Sequence, residues 1–351
     1  MSRAVRGTTL TVVLAVVLVS GIIVSGMVGQ LAISPTEVVG SIVRAIGIDN
    51  AWAPTDRIVE STLWVVRFPR VVMALAVGAA LAVAGAVMQA IFGNPLAEPG
   101  VVGVSSGAAL GAAAAIVLGG SIGMAGALGS WGTAAFAFTG GLLATLLVYF
   151  VSRANGRTEV VTLLLTGIAI NAFAGAGLAF MLCLGNAASR EQIVFWQLGS
   201  LNGSRWQEVL VTGVVAVAGT VVAIVIARRL DLLALGERSA RHLGINVEAL
   251  RIGSIVLVAL LTGVAVAFSG IIAFVGLVVP HIIRMAIGPS HRPLITASAV
   301  GGGALMVLAD LLARTIVSGA DLPIGMLTSL VGGPFFFYLL SRQRKRSGGW
   351  A

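Results

Sequence analysis

Apolar residues run along this chain in blocks of about twenty, separated by short segments rich in Gly, Pro and charge. An α-helix rising 1.5 Å per residue needs a block of that length to cross a bilayer core of ~30 Å. Ten blocks are predicted helices: 8–29, 68–92, 101–119, 124–151, 160–185, 207–228, 252–272, 276–288, 294–314 and 323–341. The expected fold is an all-α integral membrane protein of about ten transmembrane helices, several short or broken, forming one domain over 1–351. The first block follows Arg3 and Arg6 but exceeds the core of a secretory signal, about 7–15 residues, so a retained first helix is expected.

Composition strengthens this reading. Hydrophobic residues make up 58% of the chain and charged residues 10%, where a soluble domain carries about a quarter charged. That apolar surplus exceeds what one core could bury, which excludes a soluble globular protein. The 46 glycines point to helices held together by close contact of small residues. One cysteine, Cys183, gives neither a disulfide framework nor a thiolate metal site.

The formal charge is +9. In a membrane protein such an excess reflects Lys and Arg retained on the cytoplasmic side rather than nucleic-acid binding. With the N-terminus inside, the outer segments hold Arg44, Arg57, Arg67, Arg70, Arg190, Arg205 and Arg314, and the inner ones hold the other fifteen of the 22 basic residues. Both termini are therefore expected in the cytoplasm of a plasma-membrane protein. Two outer segments, about 30–66 and 186–206, carry Trp residues read as interfacial anchors. The largest inner segment, 229–251, mixes Leu with charge and predicts short helices at the membrane surface.

A faint repeat is present. Gly78–Gly85 (GAALAVAG) resembles Gly263–Gly270 (GVAVAFSG) at an offset of 185 residues. The two lie in the second and seventh predicted helices, an odd number apart, so the halves would run in opposite senses, as in inverted-repeat transporters.

No catalytic constellation is visible. His242, His281 and His291 are dispersed, and no HExxH, GxSxG or GxxxxGK[ST] motif occurs, so no cofactor or metal is expected and any ATP hydrolysis belongs to another chain. Many spans without chemistry suggest a conduit. Asp310 and Arg314 stand four apart in one span, either as a locally neutralised pair or with Arg314 facing a partner. Asn94, Pro95, Glu98 and Pro99 break the chain between two spans, either as a plain turn or as a broken element lining a pathway. An ion-coupled secondary transporter would also use inverted repeats, but needs a carboxylate near the midplane. Nearly every acid here falls at a loop or span end.

These residues carry a resemblance. RFPR (Arg67–Arg70), GAALAVAGAVMQAIFGNPLAEPGVVGVSSGA (Gly78–Ala108), LALGERSARHLG (Leu233–Gly244), FVGLVVPHIIR (Phe274–Arg284), ADLLAR (Ala309–Arg314) and DLPIG (Asp321–Gly325) occur in this order. From Arg67 to about Leu340 the chain resembles FecCD-type permeases, the membrane subunits of ABC importers for iron–siderophore, haem and cobalamin.

The resemblance implies partners: a second permease subunit, expected to be a copy of this chain, two ATP-binding-cassette ATPases below and a substrate-binding protein above. It implies that Gly236, Glu237, Arg238, Ser239, Ala240, Arg241, Leu243 and Gly244 insert into the ATPase, and that Arg67, Arg70 and Arg314 meet acidic residues of the binding protein. Pathway candidates are Gln89, Asn94, Pro95, Ser105, Ser106, Asn171 and Ser269. Two departures stand out: Asp321 replaces the family's usual Glu, and Val160 and Val161 fall where relatives carry small hydroxyl residues at an inner gate.

Overall fold

The structure is a computed structural model and describes residues 3–29, 31–121, 124–154, 157–317 and 319–346. Its helices are α1 (Arg3–Met27), α2 (Pro35–Ala45), α3 (Arg57–Ser61), α4 (Phe68–Phe92), α5 (Val104–Ser121), α6 (Met124–Val151), α7 (Val160–Leu184), α8 (Ala187–Leu198), α9 (Trp206–Leu233), α10 (Glu237–His242), α11 (Val247–Ser269), α12 (Val275–Ile287), α13 (His291–Thr315) and α14 (Ile324–Arg346). A π-helical stretch, Thr62–Arg67, joins α3 to α4, and a 3₁₀ turn, Pro99–Val102, leads into α5. The only strands among the described residues are a two-residue antiparallel pair, Arg153–Ala154 with Arg157–Thr158.

Seven helical stretches among the described residues are long and apolar enough to cross a bilayer, and parts of α5, α12 and α14 form three shorter apolar helices. Each predicted block falls on one of these ten. The second is longer than predicted, because the helical path continues back from Phe68 to Arg57. The segment 229–251 holds one short helix, α10, rather than several. Residues 229–233 complete the last turns of α9, and 247–251 open α11.

Two helices form the centre. The most apolar window of α4 is 83% buried and that of α11 is 72%, whereas that of α7 is only 11%. Helix α4 packs on α12 and α13, and α11 packs on α5 and α6. If α4 corresponds to α11, as the sequence repeat pairs them, then α5 corresponds to α12 and α6 to α13. Each central helix therefore packs on the pair that this pairing places in the other half, as well as on α9 and on the other central helix.

Lipid tails are as apolar as Leu, so helices in a membrane associate through close packing rather than through the hydrophobic effect. Glycine permits that approach. A Cβ added at Gly78 of α4 would lie 2.2 Å from the carbonyl oxygen of Gly302 on α13, and one at Gly302 would lie 2.2 Å from that of Gly78. Gly107 of α5 and Gly140 of α6 face each other in the same reciprocal way, each Cβ 2.4 Å from the other's oxygen.

Candidate functional site

Three regions hold the polar residues a conduit could use. The first is a charge cluster at one end of α4 and α13. Arg67 closes the π-helical stretch as the N-cap of α4, and Arg70 follows Pro69 in the first turn of that helix. Arg70 Nε donates to Asp310 Oδ1 at 2.8 Å and Nη1 donates to Asp321 Oδ2 at 2.7 Å. Arg314 Nε lies 3.3 Å from Asp310 Oδ2, while its Nη atoms donate to the backbone oxygens of Ser25 and Val28 and to Ser25 Oγ. Arg67 donates to the carbonyls of Gly26 and Leu31. Asp310, Arg67 and Arg70 are buried, whereas the Asp321 side chain is 37% exposed. All three predicted docking arginines are thus brought together, each donating to internal acceptors in this conformation. The Asp310–Arg314 pair is visible in the sequence at a spacing of four. Asp321 as a partner of Arg70, 251 residues away, is not.

The second region is a cavity of about 320 Å³ beside α7. Ser105, Ser106 and Asn171 line it together with Gln197 of α8, which sequence reasoning missed. Ser106 Oγ donates to Asn171 Oδ1, and Asn171 Nδ2 donates to the carbonyl of Gly100 at 3.4 Å, fixing the amide across the α5–α7 contact. The rest of the wall is apolar, with Ala109, Ala174 and Gly175 beside the larger Leu178 and Ile271.

The remaining pathway candidates lie elsewhere. Gln89 is buried, donating to the carbonyl of Leu277 at 3.2 Å and accepting from Arg284 at 3.2 Å, so it ties α4 to α12. Asn94 Oδ1 accepts from the N–H of Leu96, an Asx turn that shapes the chain break, and Pro95 lines a separate cavity with Gln89. Ser269 Oγ is buried and donates to the carbonyls of Ala265 and Gly270. Val161 opens α7 with 67% of its surface exposed, and the side chain of Val160 lies outside the described residues. Glu98, at the same break, accepts from the N–H of Phe274 at 3.1 Å, which fastens this loop to the start of α12. Burial pushes the Glu98 carboxyl above the ordinary glutamate range, and the Phe274 N–H offsets part of that rise.

The third region is α10. Gly236 precedes it at φ 99° and Gly244 follows it at φ 82°, both in the left-handed region that a side chain disfavours. The N–H of Gly244 donates to the Arg241 carbonyl and that of Ile245 to the Ala240 carbonyl, the paired bonds of a Schellman cap. Six residues cannot hold a helix by themselves, and α10 is anchored twice. Ala240 is fully buried. Glu237 accepts from Arg251 of α11 at 2.7 Å and from Arg241 at 2.9 Å. Arg238, Ser239, Arg241 and Leu243 remain exposed, so the element is a rigid knob with a basic and apolar outer surface.

Comparison with known proteins matches this arrangement. The model of the FecCD transport family matches residues 14–342. The hemin transport system permease protein HmuU of Yersinia pestis is 43% identical over 288 residues, covering 82% of this chain and 85% of that protein. The cobalamin import system permease protein BtuC of Halobacterium salinarum is 40% identical over 282 residues, covering 80% and 74%. A solved structure of a metal-chelate type ABC transporter in an inward-facing conformation superposes with a TM-score of 0.82 at 30% identity, covering 95% of this chain and 99% of that one. With a family model matched across residues 14–342, relatives of 40% identity or more and all six sequence blocks in order, this chain belongs to the FecCD transport family.

Proposed function

We propose that this chain is the membrane-spanning subunit of an ATP-driven importer that passes an iron chelate, such as haem or a ferric siderophore, or cobalamin into the cytoplasm. The observation that carries this reading is the flank of α7. That helix is the least buried of the long spans, yet Asn171 on it meets Ser105, Ser106 and Gln197 around an open cavity. Polar side chains facing hydrocarbon are costly. A second copy of the chain placed against this flank would enclose them in a shared pathway. A largely apolar wall with few polar groups suits a bulky chelate that must bind weakly enough to leave.

The exposed outer surface of α10 supports docking of an ATPase subunit on each copy, through Gly236 to Gly244. The cluster of Arg67, Arg70 and Arg314 supports docking of a substrate-binding protein, whose carboxylates would compete with Asp310 and Asp321 for the same guanidiniums. The bias of arginines supports both termini in the cytoplasm.

The test is uptake of labelled haem, ferric siderophore and cobalamin into proteoliposomes holding this chain with its ATPase and binding protein. ATP-dependent uptake of one cargo supports the reading. Uptake driven by an ion gradient without ATP would replace it with a secondary transporter. Against that alternative, Asp310, the buried aspartate within a span, is already paired with two arginines, which removes it as an ion-coupling carboxylate.

A further inference from the structure

The arginine-bearing end of α9 separates from α11. Further along, the two helices touch: a Cβ added at Gly219 would lie 2.5 Å from the Leu261 side chain. Toward Arg229 they splay, leaving a groove of about 470 Å³. Val222, Ile226 and Arg229 line one side, at the i, i+4, i+7 spacing of one helix face. Ala249, Gly253 and Ser254 of α11 line the other. A Cβ added at Gly253 would meet nothing within 4 Å, unlike the tightly packed glycines at Gly78 and Gly302. Small residues at this position therefore leave space rather than close a contact.

The chemistry along the groove is graded. Val222, Ile226 and Gly253 make its wall apolar, and Gly244, Ile245 and Asn246 of the connection between α10 and α11 complete the lining. Its mouth carries Arg229, exposed, with Arg228 exposed beside it, and neither forms an ion pair among the described residues. Ser254 is fully buried and its hydroxyl has no hydrogen-bond partner among the described residues. An open apolar slot within a membrane span fills with hydrocarbon, and paired cations at its mouth favour a headgroup of negative charge. Basic pockets between transmembrane helices recognise anionic lipids on these grounds.

We propose that the α9–α11 groove is a binding site for an anionic phospholipid. One acyl chain lies along Val222, Ile226 and Gly253, and the phosphate rests on Arg229. Arg228, exposed beside Arg229, adds to the attraction.

The experiment is native mass spectrometry of the purified, delipidated full-length permease, after adding back equal amounts of phosphatidylglycerol and phosphatidylcholine with identical chains. The wild type should retain phosphatidylglycerol in several-fold excess. Gly253→Leu, at a position where an added Cβ meets nothing within 4 Å, should cut retained lipid about tenfold at an unchanged melting temperature. Arg229→Gln, a surface change, should bring the two lipids to parity. Arg44→Gln, distant from the groove, should keep the wild-type preference. The proposal is overturned if both groove variants keep that preference, if Arg44→Gln loses it equally, or if inorganic phosphate at millimolar concentration displaces the lipid, which would make this a site for free anions.

Discussion

The guanidinium of Arg70 lies 2.8 Å from the carboxylate of Asp310, joining α4 to α13 across 240 residues of sequence. Both side chains are nearly inaccessible, at 8% and 1% exposure. Asp310 also faces Arg314 at 3.3 Å, so one carboxylate holds two arginines. Removing one partner of a buried pair leaves an uncompensated charge, at a cost of about 3–5 kcal/mol. Asp310→Asn should therefore lower the melting temperature and the membrane abundance of the protein, whereas Asp321→Asn, at a half-exposed position, should cost far less. A double-mutant cycle between positions 70 and 310 measures the coupling directly. A coupling energy near zero would show that the pair contributes nothing to assembly.

The crossing of α4 and α13 has no room for a methyl group at its centre. The atoms blocking a Cβ at Gly302 are the backbone oxygen of Gly78 and the Cβ of Ala82, neither able to rotate away. Overpacking of this kind costs about 1–3 kcal/mol, and more where backbone must shift. Gly302→Val should reduce thermal stability in detergent well beyond the effect of Gly213→Val, since a Cβ at Gly213 meets nothing within 4 Å. Equal melting temperatures for the two variants would refute the assignment of Gly302 as a packing glycine.

The long helices were legible because length and hydropathy are local properties of the chain, and the bilayer sets how much apolar sequence each must contain. Helix α2 was legible too, though unread. Ser34 and Glu37 form a capping box, with Glu37 N–H donating to Ser34 Oγ and Ser34 N–H donating to the Glu37 carboxylate. Two of the Trp residues expected as interfacial anchors also join elements: Trp64 donates to Ser41 of α2, and Trp206 of α9 donates to the Trp64 carbonyl. The sorting of polar residues was not legible. Gln89 and Ser269 differ from Ser105 and Asn171 only in which helix faces them, and that depends on tertiary crossing angles. The same limit hid Asp321 from Arg70.

Glu98 supplies a prediction in pH. Its folded form binds the proton more tightly than the unfolded chain, because burial raises the carboxyl more than the Phe274 N–H lowers it. The contribution of this group to stability is therefore full at pH below the ordinary glutamate range and declines as pH rises through the raised value. Glu98→Gln keeps an oxygen for the Phe274 N–H and cannot ionise. At neutral pH the variant should melt at or above the wild-type temperature, and the difference should shrink on acidification. A variant less stable than wild type at neutral pH, with the gap closing in acid, would show instead that the ionised carboxylate is the stabilising form.

Glu237 anchors α10 through Arg251 of α11 as well as through Arg241 on its own helix. The Arg241 pair is exposed on both sides, at 44% each, and such pairs contribute little, whereas Arg251 is buried at 6%. If α10 transmits force from an ATPase to the spans, the connection to α11 matters more than the surface pair. Glu237→Gln should therefore lower transport per ATP hydrolysed in the reconstituted importer by severalfold, with membrane insertion and abundance unchanged, while Arg241→Gln should have a smaller effect. Arg251→Gln tests the same link from the other side and should resemble Glu237→Gln, with the double variant no worse than either single one. Additive losses in the double variant would mean that the two residues act separately, and that α10 is not coupled to α11 through this contact.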